Sequence, residues 1–141
     1  MSGASDYFVS GGFNCAETVF RVLVDNGIVD APREHVRALT GLGGGLQRNL
    51  VCGAVLGATT ALSWAYGRTD MSGSRDSSKE VVQLFLDRFK EEFGEFNCRD
   101  LRMNHLGTDD MDAPERRPKC SEFVNRAIEI ATEIVEEKAK A

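Results

Sequence analysis

Apolar residues recur along this chain with a period near 3.6, and glycine or proline cuts the pattern into helical segments. The clearest segment ends at Phe93. There Val82, Phe85, Leu86, Phe89 and Phe93 fall at i, i+3, i+4, i+7 and i+11, while Lys79, Gln83, Asp87, Lys90 and Glu91 take the opposite side. Ser77 or Ser78 is the expected cap and Gly94 the stop. An earlier helix follows Asn14, with Glu17 placed as in a capping box, an apolar face of Val19, Phe20, Val22 and Leu23, and Gly27 as its end. Asp30 and Pro32 introduce a helix over 33–40 that turns Val36 and Leu39 inward. The last helix, from about Pro118 to Lys138, carries a stripe of Cys120, Val124, Ala127, Ile128, Ala131, Ile134 and Val135. Shorter helices are expected over 5–9 and, capped by Asn97, over 98–104.

The segment from Cys52 to Tyr66 is different, being apolar or small on nearly every side, as a central helix is. Gly53, Gly57 and Ala61 recur every fourth residue and leave one face nearly flat, so that neighbours approach closely. Residues 68–77 form a polar loop, and an acidic loop holds Pro114 and Pro118. No strand alternation, repeat or low-complexity segment interrupts this pattern. The expectation is all-α: one domain over 1–141, a bundle of about six helices around the helix 52–66.

Composition narrows the function classes. At 141 residues the chain is long enough for one well-buried core. A net charge of −5 argues against nucleic acid and anionic membranes as partners. The longest apolar stretch, 52–66, also contains Thr59, Thr60 and Ser63 and is too short to span a bilayer. No basic segment followed by an apolar one opens the chain, so no signal peptide is expected and the cytoplasm is the expected compartment. In that compartment cysteines more often bind metals or do redox work than form structural disulfides.

The four cysteines, Cys15, Cys52, Cys98 and Cys120, each stand where the pattern starts a helix. Free N–H groups at a helix start stabilise an anion, and a thiolate there has its pKa lowered from about 8.5 to between about 3.5 and 7.5. The cysteines lie 37, 46 and 22 residues apart, without a C-x-x-C, so any shared site must be assembled by the fold. The bland alternative is four small buried hydrophobes. No C-x-x-C-H is present, which excludes a covalent c-type haem.

The glycine loop, Gly41-Leu-Gly-Gly-Gly-Leu, lacks the third glycine of a dinucleotide fingerprint and follows a helix instead of a strand, so no nucleotide is expected. Gly43, Gly44, Gly45 and Gly53 are instead expected to let backbone approach the cysteines, or simply to form a sharp turn. His35 is expected on a solvated face. His105 is a candidate ligand or proton carrier, or a residue with neither role. Arg48 and Lys119 lie near Cys52 and Cys120 and are candidates for lowering a thiol pKa.

Asn14-Cys15-Ala-Glu-Thr-Val, Gly43-Gly-Gly-Leu, Cys52-Gly-Ala-Val-Leu-Gly57, Cys98-Arg-Asp-Leu and Cys120-Ser-Glu-Phe-Val together resemble the C_GCAxxG_C_C family of redox-active proteins, from about Tyr7 to Ile134. The family is named for these cysteines, and its redox activity is inferred from them. A similar domain occurs in split-Soret type cytochromes, where the cysteines are linked to an iron–sulfur centre; their haem-binding segment has no counterpart here. The resemblance implies a redox or electron-transfer site at Cys15, Cys52, Cys98 and Cys120, with a redox partner it does not name.

Three functions follow as expectations. The thiolates hold one metal centre, an iron–sulfur cluster ahead of zinc. Alternatively they work as dithiol–disulfide couples. As a third possibility, the chain is a non-catalytic helical binding module whose cysteines serve its core.

Overall fold

The computed structural model of the protein describes residues 7–8 and 12–140. The short helix expected over 5–9 therefore falls outside the described residues, apart from Tyr7 and Phe8. The described residues form five α-helices, α1 (Cys15–Asp25), α2 (Gly53–Tyr66), α3 (Asp76–Phe93), α4 (Cys98–Leu106) and α5 (Arg116–Lys140), with a 3-10 helix over Arg33–Leu42. The architecture is all-α, as the periodicity predicts.

Helix α2 is the hub, packing against α1, α3, α5 and the 3-10 helix. Its small residues are the reason. A Cβ on Gly57 would lie 2.5 Å from the Ala16 carbonyl oxygen, so α1 and α2 meet backbone to backbone. Around that contact Phe20, Leu23, Leu62, Phe85, Phe89 and Ile130 lose all solvent exposure, each adding about 2 kcal/mol of apolar burial.

Local chemistry sets most helix ends. Asn14 and Glu17 make the capping box of α1: the Glu17 amide donates to Asn14 Oδ1 at 2.8 Å, and the Asn14 amide donates to Glu17 Oε1 at 3.0 Å. Gly94 and Gly107 close α3 and α4 in left-handed conformations. Val36 and Leu39 are buried, as expected.

Some details differ from the pattern. Helix α3 begins at Asp76, before the expected serine caps, because Ser74 Oγ accepts from the Asp76 amide at 3.1 Å. Its buried row is Val81, Phe85 and Phe89, spaced by four, with Val82, Leu86 and Phe93 half-buried beside it. Helix α5 adds Phe123 and Ile130 to the expected stripe. Exposed ion pairs such as Arg88–Glu137 and Arg126–Glu92 link α3 to α5, each worth at most about 1 kcal/mol.

Candidate functional site

Two short backbone contacts start the assembly of the site. Val51 pairs with Asn97 in an isolated antiparallel bridge. On either side of it the Cys52 amide donates to the Phe96 carbonyl at 2.7 Å and the Cys98 amide donates to the Leu50 carbonyl. This bridge draws the start of α2, where Cys52 is the N-cap, to the start of α4, where Cys98 is the first residue. Cys15, the first residue of α1, meets the same place through Gly53. A Cβ on Gly53 would sit 2.1 Å from Cys15 Sγ, so only glycine lets that sulfur rest on the start of α2.

The glycine loop closes over the start of α1 in a similar way. A Cβ on Gly43 would lie 2.4 Å from Asn14 Cγ. Asn14 Nδ2 also donates to the Thr40 carbonyl at 3.0 Å, and Thr40 Oγ1 donates to Glu17 Oε2 at 2.9 Å. Gly44, Gly45, Leu46, Gln47 and Asn49 all have positive φ, so the chain makes a left-handed turn here. Asn49 is fixed at its end by the Arg102 guanidinium, whose Nη2 donates to Asn49 Oδ1 at 3.0 Å.

Cys120 departs from the expected placement. Helix α5 starts at Arg116, whose amide donates to the Ala113 carbonyl, and Pro118 is accommodated in its first turn. Cys120 is therefore the fifth residue of the helix, beyond the free N–H groups.

Cys15, Cys52, Cys98 and Cys120 nevertheless line one chamber of about 20 Å³, room for about one water molecule. Phe8, Leu101, Phe123 and Val124 make it apolar, and Arg102 and Arg116 bring positive charge. Among the described residues no acidic side chain lines it. All four cysteines are free thiols.

Arg102 is the residue that sequence reasoning missed. It is 1% exposed. Its Nη1 donates to Cys98 Sγ at 2.6 Å, its Nη2 also donates to the Asp109 carbonyl at 2.8 Å, and its buried Nε has no partner among the described residues. No carboxylate ion pair balances this charge among the described residues, so Cys98 is its nearest potential counter-anion. Arg102 follows Cys98 by four positions and Arg116 precedes Cys120 by four, a spacing that puts each pair on one helix face. That spacing is the signal by which both arginines were findable.

Cys52, Cys98 and Cys120 do not behave as helix-start anions. Burial pushes Cys52 well above its ordinary range and nearby Cys15 adds to the rise, while the Ala54 and Val55 amides at the free end of α2 pull against it. Burial also raises Cys98, with Arg102 and Arg116 opposing and Cys15 reinforcing. Cys120 is pushed up to about 11 by burial, against the pull of Arg116. Desolvation of the charged form outweighs the helix ends, contrary to the expected lowering.

A second cavity, a cleft of about 230 Å³, adjoins the chamber. The two share Phe8, Cys15, Gly44 and Arg116, and Cys15 is the cysteine that lines both. Gly43 also lines the cleft, whereas Gly45 and Gly53 act from behind the walls through the contacts of their backbone. Arg48 is exposed in the left-handed turn and lines neither cavity. Lys119 pairs with Glu122 at 2.8 Å. His35 is half-buried between Phe20 and Trp64, ring centroids 6.2 and 4.2 Å away. His105 Nε2 bonds the Phe93 carbonyl at 3.0 Å and its ring meets Phe93 and Phe123 edge-on, outside both cavities.

Among the described residues no three His, Cys, Asp or Glu side chains gather around one point closely enough for a single metal ion. A zinc ion would need its sulfurs about 2.3 Å from a common centre. The donor set of four thiols around one carboxylate-free chamber is nonetheless of the kind that holds iron–sulfur clusters. No helix of the described residues is long and apolar enough to cross a membrane. No match was found among curated proteins or among solved structures. The family model described as "Putative redox-active protein (C_GCAxxG_C_C)" matches residues 13–134, a span that includes all four chamber cysteines. The chain belongs to the C_GCAxxG_C_C family.

Proposed function

We propose that this protein exchanges electrons by thiol–disulfide chemistry, with Cys15 and Cys52 as its working pair. The observation that carries this reading is the position of Cys15 Sγ. It rests against Gly53, the neighbour of Cys52, and Cys15 lines both the chamber and the outer cleft. A partner disulfide reaching the cleft is attacked by the Cys15 sulfur, which forms a mixed disulfide and expels one partner thiol. The Cys52 sulfur then attacks Cys15, expels the second partner thiol and leaves a Cys15–Cys52 bond. Two electrons and two protons pass to the partner. Burial keeps Cys52 protonated until that second step, and its proton leaves with the departing thiol.

Thiol counting before and after treatment with a small neutral disulfide tests this. We expect two thiols to disappear and a peptide map to show Cys15 joined to Cys52. Four thiols unchanged, or a bridge through Cys98 or Cys120, overturns the assignment.

A second reading is supported by the convergence of all four thiols on one chamber. In it Cys15, Cys52, Cys98 and Cys120 hold an iron–sulfur cluster, which would supply one-electron transfer, with Arg102 and Arg116 offsetting its negative charge. Iron and sulfide analysis after anaerobic purification separates the two. A brown protein with both elements favours the cluster; a colourless, iron-free protein with four titratable thiols favours the dithiol.

A further inference from the structure

We propose that the outer cleft selects small disulfides that carry carboxylates, with Arg116 as the group that recognises them; this rests on the thiol–disulfide reading above. The cleft of about 230 Å³ is smaller than the usual range of drug-sized sites, so it fits a short, flexible compound and not a folded protein domain. Its walls are one-sided in charge. Arg116 and Arg117 line it, and among the described residues no Asp or Glu does.

The two arginines differ in freedom. Arg117 Nη1 donates to the Phe8 carbonyl at 2.7 Å and its guanidinium lies 4.9 Å from the centre of the Phe8 ring, so it holds a wall in place. Arg116 lines both cavities, and its charge is felt at Cys98 and Cys120. Gly43 and Gly44 also line the cleft and present backbone without side chains, and Gly43 admits no Cβ because Asn14 occupies that space. A carboxylate placed on Arg116 therefore leaves the rest of a short disulfide lying toward Cys15, the thiol at the junction of the two cavities. Through Arg116 the site discriminates by charge what its size admits.

The whole chain carries −5, so long-range attraction favours a cationic disulfide. A preference for an anionic one would therefore report the cleft itself. The reduced protein is oxidised with three disulfides of similar length: dithiodipropionate (dianionic), hydroxyethyl disulfide (neutral) and cystamine (dicationic). Each rate is normalised to that of a free small thiol. We expect dithiodipropionate to react about tenfold faster than the neutral compound, the size of one charge-assisted contact, and cystamine to be slowest. Arg116→Gln should abolish that preference, and a far-UV circular dichroism spectrum matching that of the unsubstituted protein verifies folding. Arg116→Lys should keep part of it. Equal normalised rates, a preference for cystamine, or an unchanged preference in Arg116→Gln overturns the proposal.

Binding of thiodipropionate, a thioether that cannot exchange, reads the cleft independently by calorimetry on the reduced protein. If hydroxyethyl disulfide forms no Cys15–Cys52 bridge, the exchange reading fails. Arg116-dependent thiodipropionate binding would then still uphold the anion site, and absence of binding would overturn it.

Discussion

A cysteine and a glycine thirty-eight positions apart in this chain are in effect one feature, because the Cys15 sulfur occupies the space a Gly53 side chain would need. On an isolated helix Gly53→Ala would gain about 1 kcal/mol of helix propensity. Here it should cost about 2 kcal/mol in chemical denaturation, since the sulfur must be displaced. In a Cys15→Ala background the nearest remaining atom is the Ala16 amide nitrogen at 3.2 Å, so the cost should largely vanish. A double-mutant cycle measures that coupling. Arg102 is the other residue whose role is defined by what surrounds it. Arg102→Met removes the donor to Cys98 Sγ, to Asn49 Oδ1 and to the Asp109 carbonyl. Stability should fall by about 3 kcal/mol. Because Arg102 opposes the effect of burial on Cys98, the Cys98 thiol should also rise further in a thiolate absorbance titration, a shift that mere loosening of the fold would not give.

Among the elements, the left-handed turn at 44–49 concentrates the backbone strain. Leu46, Gln47 and Asn49 hold positive φ at 60, 63 and 60°, a conformation that costs a residue with a side chain about 1 kcal/mol or more. Leu46 is 40% exposed, so Leu46→Gly relieves strain and loses little packing. It should raise stability in chemical denaturation by at most about 1 kcal/mol, the relieved strain less the entropy glycine adds to the unfolded chain. One residue earlier the sign reverses. A Cβ on Gly45 would lie 2.5 Å from the Leu50 nitrogen and 3.0 Å from the Cys98 Cβ. Gly45→Ala should cost about 3 kcal/mol and disturb the Leu50–Cys98 backbone contact. Hydrogen exchange at the Cys98 amide would detect that disturbance. Such strain persists because Arg102, Asn14 and the bridge at Val51 hold the turn from three sides.

For the whole molecule, buried thiols link stability to pH. Cys120 titrates near 11 in the folded chain against an ordinary value of 9.0, and Cys52 and Cys98 are raised too. The native state thus holds protons that the unfolded chain gives up first. The stabilisation is complete below pH 9 and declines as pH rises toward 11 and beyond, by about 2 to 3 kcal/mol for Cys120 alone. Cys120→Ala should remove about 2 to 3 kcal/mol of that alkaline decline in a series of denaturation curves, without changing the slope near neutrality.

What the sequence determined by itself was periodic or local: five α-helices and a helical segment after Pro32, the capping box at Asn14, the stop at Gly94, and the central place of the small-residue helix α2. These follow from spacing and from residues a few positions apart, so the chain states them directly. It also displayed the cysteines together with their glycines, and the arginines were visible at four-residue spacing from Cys98 and Cys120. Tertiary structure alone decided that four thiols from distant segments share one chamber, that Cys15 stands at its mouth, and that Cys120 lies inside a helix. It also decided the electrostatic outcome. Helix ends are sequence-local and favour thiolates, whereas desolvation depends on every segment packed around the sulfur, and in this fold desolvation is the larger effect.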